Sequence, residues 1–363
     1  MREYNWQKEK QSVRGNAGSA SSRQDQNVPV SRQEHITGQS IFLFLLLVVL
    51  LLATGIGWWM KAGSSGDSAK ALAAVAEKYR HAVGLVVLCV EMPNGEILSS
   101  PVGTAWAIGK SQFVSNSHVI YGLPGTLQDL SKSARKLGIS TMLEKNKVKS
   151  EQELSGKLGA NQYRSEVKKM EDKIRQMFSK VYAEVRINGK KGKSFRISHL
   201  QPHPGYSNKK SFTPDVGIIT IEGEHDSVFK IAERKKLYNL KSGVPIGYLG
   251  FPMERLPNGN VDESSPLASM QTGIIVAVSA PSMKDDGKEK NFLIRHNLPS
   301  VGGASGSPIF DTDGSVIAVN TASTSIPGTR LPSAALINFG LRVDLIHGVG
   351  EKIPIREFLK LKM

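Results

Sequence analysis

Three short segments carry residues that could share one reaction, in the chain order His, Asp, Ser. GTAWAIGKSQFVSNSHVI (103–120) leads through two strand-like runs to His118. TPDVGIITI (213–221) sets Asp215 at the head of an apolar strand, and VGGASGSPIFDTDGSVIAV (301–319) holds Ser305 in a Gly-rich turn before two strands. A serine hydroxyl is a poor nucleophile until an imidazole within hydrogen-bond reach takes its proton. A carboxylate on the far ring nitrogen fixes the tautomer and stabilises the imidazolium, and an Asp heading an apolar strand is costly to bury unless paired. The glycines beside Ser305 allow a tight turn in which the amides of Gly303 and Ser305 converge on one oxyanion. Losing one such donor costs on the order of 10²–10³ in turnover. Each segment alone is a weak signal; in this order and with these flanks they are specific.

The elements around them read as mostly β. VGLVVLCVEM and EILSSPVGTAWAIG are β-branched runs joined by Pro93-Asn94-Gly95, a hairpin turn signal, and short strands resume at Val185 and continue almost to the end. Between them, 124–182 changes texture. Leu127, Leu130, Ala134 and Leu137, then Tyr163, Val167, Met170, Ile174, Met177 and Val181, recur every three or four residues. That spacing predicts two amphipathic helices with coiled-coil-like seams, joined by a polar link around 144–160. Ahead of the β texture, Leu72, Val75 and Tyr79 predict a helix capped at Asp67 or Ser68 and ending near His81, after a Gly/Ser linker at 62–68. The expected organisation is a polar tail over 1–40, a transmembrane anchor over 41–60, linker and helix over 61–81, and a catalytic domain over 82–363 with the helical insertion 124–182.

The anchor rests on IFLFLLLVVLLLATGIGWWM (41–60), which carries no charge. A helix of that length spans about 30 Å, the thickness of a bilayer's hydrocarbon core. Trp58 and Trp59 sit where an interfacial anchor belongs, and six basic residues before the run, against Lys61 and Lys70 after it, place the N-terminus inside. The leading segment and the apolar run are both too long for a cleaved signal peptide.

Charge and cysteine count exclude other classes. The 363 residues carry a net +15, but 17 basic and 8 acidic residues fall within 124–193, which alone holds +9. The excess therefore lies on the helical stretch and not on a compact nucleic-acid face. One cysteine, Cys89, excludes an internal disulfide and a Cys-based zinc cluster. His199 and His203 have the spacing of a helical metal pair, but Pro202 and Pro204 forbid a helix there, so no metal is expected. The glycines at 302–306 lack the Lys-Ser/Thr of a phosphate loop. No metal or organic cofactor is implied.

GTAWAIG, SNSHVI, PDVGIITI and GASGSPIF resemble the landmark segments of chymotrypsin-fold serine endopeptidases, above all the bacterial trypsin-like and HtrA-type branch. IGYLGFP (246–252), TGIIVAV (272–278) and INFGLRVDLI (337–346) extend the resemblance over about 82–350, apart from the helical stretch. It implies two six-stranded antiparallel β-barrels, with His118 as general base, Asp215 as its orienter, Ser305 as nucleophile, and Gly303 and Ser305 as oxyanion donors. It also implies substrate binding at Ile337, Asn338, Phe339 and Gly340, by addition of the substrate as an extra strand. Some positions depart from the pattern. Ser117 stands where Ala is typical, Ala304 replaces the Asp that pairs with a freed N-terminus in zymogens, and Pro299 replaces the Asp of a trypsin-like pocket. A mostly apolar primary pocket is expected instead. With 58 residues after Ser305, no PDZ module is expected.

The expected function is a membrane-anchored serine endopeptidase acting on unfolded or flexible polypeptides, with its catalytic domain on the periplasmic face of the inner membrane. The basic stretch 124–193 is expected to meet an anionic membrane surface or an acidic protein partner. The alternative is a non-catalytic scaffold or sensor that keeps the protease fold and binds partners through the helical insertion.

Overall fold

The computed structural model describes residues 66–178, 180–210, 212–253, 262–322 and 337–360. The tail over 1–40 and the apolar run 41–60 lie outside the described residues. Among the described residues no helix is long and apolar enough to cross a membrane.

Why β1 (Val83–Glu91) is apolar at almost every position follows from its two faces. Successive side chains on a strand point to opposite sides. Val86, Leu88 and Val90 join one hydrophobic core, and Val83, Leu85, Val87 and Cys89 join another. The first core fills a barrel; the second includes Ile246, Tyr248 and Ile309 from the C-terminal strands, so β1 is sandwiched between the two. β1 turns through Pro93-Asn94-Gly95, with Gly95 at φ +83°, into β2 (Ile97–Gly109). The register slips between Val86 and Val87, opposite Pro101, where a missing N–H and a bulge coincide.

β3 (Gln112–Ser115), β4 (Val181–Ile187), β5 (Ser194–Pro202) and β6 (Gly217–Ile221) complete the first sheet in the order β5-β4-β1-β2-β3-β6, and β5–β6 pairing closes it. β7 (Lys230–Ile231) pairs parallel with β12 outside the second barrel. That barrel comprises β8 (Pro245–Gly250), β9 (Ser269–Ser279), β10 (Leu293–His296), β11 (Pro308–Asp311), β12 (Ser315–Ala322) and β13 (Asn338–Arg342), closed by β11–β12. Two closed six-stranded antiparallel barrels are thus present, as the resemblance implied. β14 (Ile353–Pro354) adds to β5, and the short helices α5 (Arg234–Leu237) and α6 (Ile355–Phe358) complete the barrels' surroundings.

The helix over 66–79, α1, lies where the sequence expected one, but the chain is already helical at Gly66, ahead of the expected caps Asp67 and Ser68, and Arg80–Ala82 continue it as a 3-10 turn. It buries Leu72, Val75 and Ala76, and Tyr79 stacks on Phe229 at 4.6 Å. The inserted stretch differs in two ways. It begins earlier, since α2 (Ser117–Lys145) starts directly after β3 and includes His118, and it has three helices, because the polar link contains α3 (Glu151–Leu158) ahead of α4 (Ala160–Met177). Ser150 caps α3 by accepting from the Glu153 amide at 3.2 Å, a serine-to-acid spacing that was legible but hidden among lysines. The first seam also drifts. Leu127 is buried but Leu137 is 68 % exposed, because α2 meets α4 through Gly138, where a β-carbon would lie 2.4 Å from the Met170 sulfur. Val181 belongs to β4 and not to the helical seam, and the strands resume there and not at Val185.

Cys89 is fully buried beside Arg186, whose Nη2 lies 3.5 Å from the sulfur. Burial, reinforced by the nearby Glu184 charge, pushes its thiol up to about 12, so it stays protonated and unreactive.

Candidate active site

The turn from β3 into α2 places His118. Asn116 is extended at φ −84°, ψ 152°, and caps α2, so His118 follows one residue into the helix. Its backbone amide donates to Asp215 Oδ1 at 2.8 Å, and its Nδ1 lies 2.5 Å from Asp215 Oδ2. Both atoms of the histidine that face the carboxylate are therefore engaged, which fixes ring orientation and tautomer together. The segment that carries Asp215 is pinned from the same turn: Asn116 Nδ2 donates to the Asp215 carbonyl at 2.6 Å. Ser117, buried where an alanine was expected, donates to the Val216 carbonyl at 2.7 Å and accepts from the His203 amide at 3.0 Å. The substitution for Ala is thus a structural pin.

Asp215 is buried, and a carboxylate there needs several donors. Its third is Thr321 at the end of β12, whose Oγ1 donates to Oδ2 at 2.5 Å. The Thr321 carbonyl in turn accepts from Ser305 Oγ at 3.5 Å, a long contact. The structure therefore brings the three sequence-predicted residues to one place. It pairs His118 with Asp215 directly and holds Ser305 one residue away through Thr321, with the serine hydroxyl turned toward that carbonyl. Catalytic hydrogen bonds are often loose before substrate binds.

The Ser305 turn is shaped by two left-handed glycines, Gly303 at φ +89° and Gly306 at φ +86°. A β-carbon on Gly306 would sit 2.1 Å from the Thr104 carbonyl, and one on Gly303 would sit 2.4 Å from the Phe251 carbonyl. Thr104 of β2 clamps the turn from the first barrel. Its amide donates to the Ser305 carbonyl at 2.9 Å and its hydroxyl to the Gly303 carbonyl at 2.8 Å. From the second barrel Asn320 grips the other side. Its amide donates to the Ser307 carbonyl, its carbonyl accepts from Gly306, and its Nδ2 donates to Ala304 and to Ser300 Oγ, each at 2.9 Å. Among the described residues, no acceptor engages the amides of Gly303 or Ser305.

A trypsin-like peptidase domain matches residues 103–319, from the segment before Thr104 to the strand after Ser305. The chain belongs to the trypsin-like peptidase family. That is a family of serine endopeptidases, and the two barrels with the site between them are the chymotrypsin fold. Among solved structures the chain is similar to an HtrA-type protease, AlgW with a decapeptide, at TM-score 0.44 and 14% identity, covering 76% of this chain and 64% of that one. A variant of AlgW with a tripeptide matches at TM-score 0.42 and 14% identity, covering 76% and 60%. The chain thus spans less than two thirds of those proteins. No curated protein matches it by sequence.

For this trypsin-like peptidase the expected substrate strand needs correction. β13, which holds Asn338, Phe339 and Gly340, is paired along both edges: Gly340 lies opposite Ile294 on β10 and opposite Asn320 on β12. A strand with both ladders occupied cannot accept a third. Ile337 immediately precedes β13, and Asn338 and Phe339 are buried, with Asn338 Nδ2 donating to the Leu298 carbonyl at 2.7 Å and Phe339 against Phe212 at 4.7 Å. Asn320, Asn338, Ser300 and His296 are also buried. Burial pushes the His296 imidazole down to about 4, so it is neutral at physiological pH.

Thr104, Asn116, Asn320 and Thr321 escaped the sequence reading. Thr104, Asn116 and Thr321 stand inside or beside the quoted segments, but only the fold shows which partner each polar side chain meets.

Proposed function

We propose that the protein is a membrane-anchored serine endopeptidase that cleaves unfolded or flexible polypeptides. The observation that carries this reading is the continuous chain of contacts His118–Asp215–Thr321–Ser305. Ser305 Oγ attacks the scissile carbonyl while His118 takes its proton. The amides of Gly303 and Ser305, which engage no acceptor among the described residues, hold the oxyanion. His118 then gives the proton to the leaving amine, and water activated by the same imidazole releases the acyl group. Extended polypeptide adds alongside Thr321 at the end of β12, next to Ser305. Binding by strand addition favours flexible chain over folded protein.

The uncharged run 41–60 holds the domain on the periplasmic side of the inner membrane with the N-terminus in the cytoplasm. The basic insertion, carrying most of the +9 found over 124–193, meets an anionic membrane surface or an acidic protein partner. The test is hydrolysis of unfolded casein by the full-length protein in detergent, with Ser305→Ala as control. Casein cleaved by the wild type and spared by the variant supports the reading; equal cleavage, or none by either, overturns it.

A further inference from the structure

The outward face of α4 takes no part in these steps. Tyr163, Val167, Met170, Ile174 and Met177 turn inward, half-buried or buried, and the helix packs on α2 and α3. From Arg164 to Gln176 every exposed residue is polar. Arg164, Lys168 and Arg175, spaced by four and then seven, share one stripe, and Lys169 and Lys173 share another. All five bases are exposed. The acids of the helix do little to balance them. Glu171 is paired with Arg135 of α2 at 3.2 Å and Glu166 with Lys169 at 2.9 Å, which leaves Asp172 as the one exposed acid. Among the described residues, Arg164, Lys168, Lys173 and Arg175 form no ion pair. Lys145, at the end of α2, joins the array. The Lys169 ammonium, and after it Lys145 and Lys173, hold the Glu166 carboxyl below its usual range.

The composition of this face selects the kind of partner. Protein interfaces are built on buried aromatic and apolar anchors and are depleted in Lys, whereas this face carries Lys168, Lys169 and Lys173 and no apolar anchor. The apolar stripe of α4 is committed to α2 and α3, so the helix cannot sink into acyl chains as an interfacial amphipathic helix does. What it presents is positive charge spread over a convex surface, which fits a diffuse layer of anionic headgroups. Such contact is modest per residue, about fivefold in partition for each Lys or Arg near the surface, and it accumulates across an array. Salt screens it.

We propose that the outward face of α4, with Lys145 beside it, docks on the anionic phospholipid headgroups of the bilayer that holds the chain. The proposal rests on the membrane-anchored reading above. Cys89 makes a clean test possible, because it is fully buried and its thiol, pushed up to about 12, stays protonated. Gln176→Cys in the full-length protein therefore gives one reactive thiol, on α4, for a fluorescent label. The labelled chain is reconstituted into vesicles of phosphatidylcholine alone or with about 30 mol% phosphatidylglycerol, each carrying an energy-transfer acceptor on its headgroups. The expected result is stronger transfer from position 176 in the anionic vesicles. It should fall to the neutral-vesicle level in about 1 M salt, where the Debye length is about 3 Å. Lys168→Glu, Lys169→Glu and Lys173→Glu combined should lower the docked-to-undocked ratio by about 100-fold or more. The wild-type comparison of vesicles and salt decides the matter even if that variant fails to fold. Equal transfer in both vesicles overturns the docking. If polyglutamate is then captured in a salt-sensitive way by the wild type and not by the variant, the face belongs to an acidic polypeptide instead. A chain stripped from neutral vesicles by alkaline carbonate overturns the anchored reading; a chain that stays with them, with transfer equal in both, overturns the docking alone.

Discussion

The hydroxyl of Thr321 donates to the buried carboxylate of Asp215 at 2.5 Å, while its own carbonyl faces the Ser305 hydroxyl. One residue of the second barrel therefore touches both Asp215 and Ser305, the acid and the nucleophile of the proposed triad. Removing the hydroxyl leaves a buried charge short of a donor. A hydrogen bond to a charged group contributes about 1.5–3 kcal/mol. Thr321→Val should lower kcat by roughly tenfold or more with little change in KM, and Thr321→Ser should recover most of it. Steady-state kinetics of the two variants check this; equal losses in both would contradict the role given to the hydroxyl.

Asn320 should matter to the nucleophile loop without touching substrate. Its side chain donates to the Ala304 carbonyl and to Ser300 Oγ. Asn320→Leu removes both side-chain donations and leaves the Ala304 carbonyl with the Ser307 amide at 3.2 Å; each lost hydrogen bond costs about 0.5–1.5 kcal/mol. The expected outcome is a lower melting temperature together with slower fluorophosphonate labelling of Ser305. Labelling at the wild-type rate would show that the loop holds its shape without Asn320.

The glycines of the loop should differ sharply. Gly303→Ala and Gly306→Ala force a β-carbon against a carbonyl at left-handed φ, whereas a β-carbon on Gly302 meets nothing within 4 Å. Activity is expected to collapse in the first two and to survive in Gly302→Ala. A casein assay of the three purified variants separates them.

Much of this was legible because the informative residues act locally. The Pro93-Asn94-Gly95 turn, the α1 face of Leu72 and Val75, and the glycines around Ser305 each state their conformation in a few neighbouring residues. The substrate strand was misread at Asn338–Gly340 because sequence shows a strand's composition and not which of its edges are occupied. Leu137 was placed in a seam for a related reason: an ideal spacing does not show that Gly138 and Met170 take the contact instead. Thr321 and Asn320 sit in an apolar run where a single polar residue says nothing of its partner.

Stability should fall in mild acid. His296 is fully buried, and its folded pKa, about 4, lies below the ordinary 6.5. As pH drops below about 6.5 the unfolded chain takes a proton that the folded chain refuses. The stabilisation is therefore complete above that value and is lost progressively toward pH 4, by roughly 3 kcal/mol in all. Half-buried His203 and buried His225, both also shifted down by burial, add in the same direction. Urea unfolding of the wild type and of His296→Gln at pH 7 and pH 4.5 checks the assignment: the variant should lose less between the two pH values.

The most direct measurement of the central claim is fluorophosphonate labelling of the full-length protein, with the modified residue located by mass spectrometry. One label per chain on Ser305, abolished by Ser305→Ala and strongly slowed by His118→Ala, is the predicted result. A protein that takes up no label, or takes it up elsewhere, would contradict a nucleophile at Ser305 activated by His118.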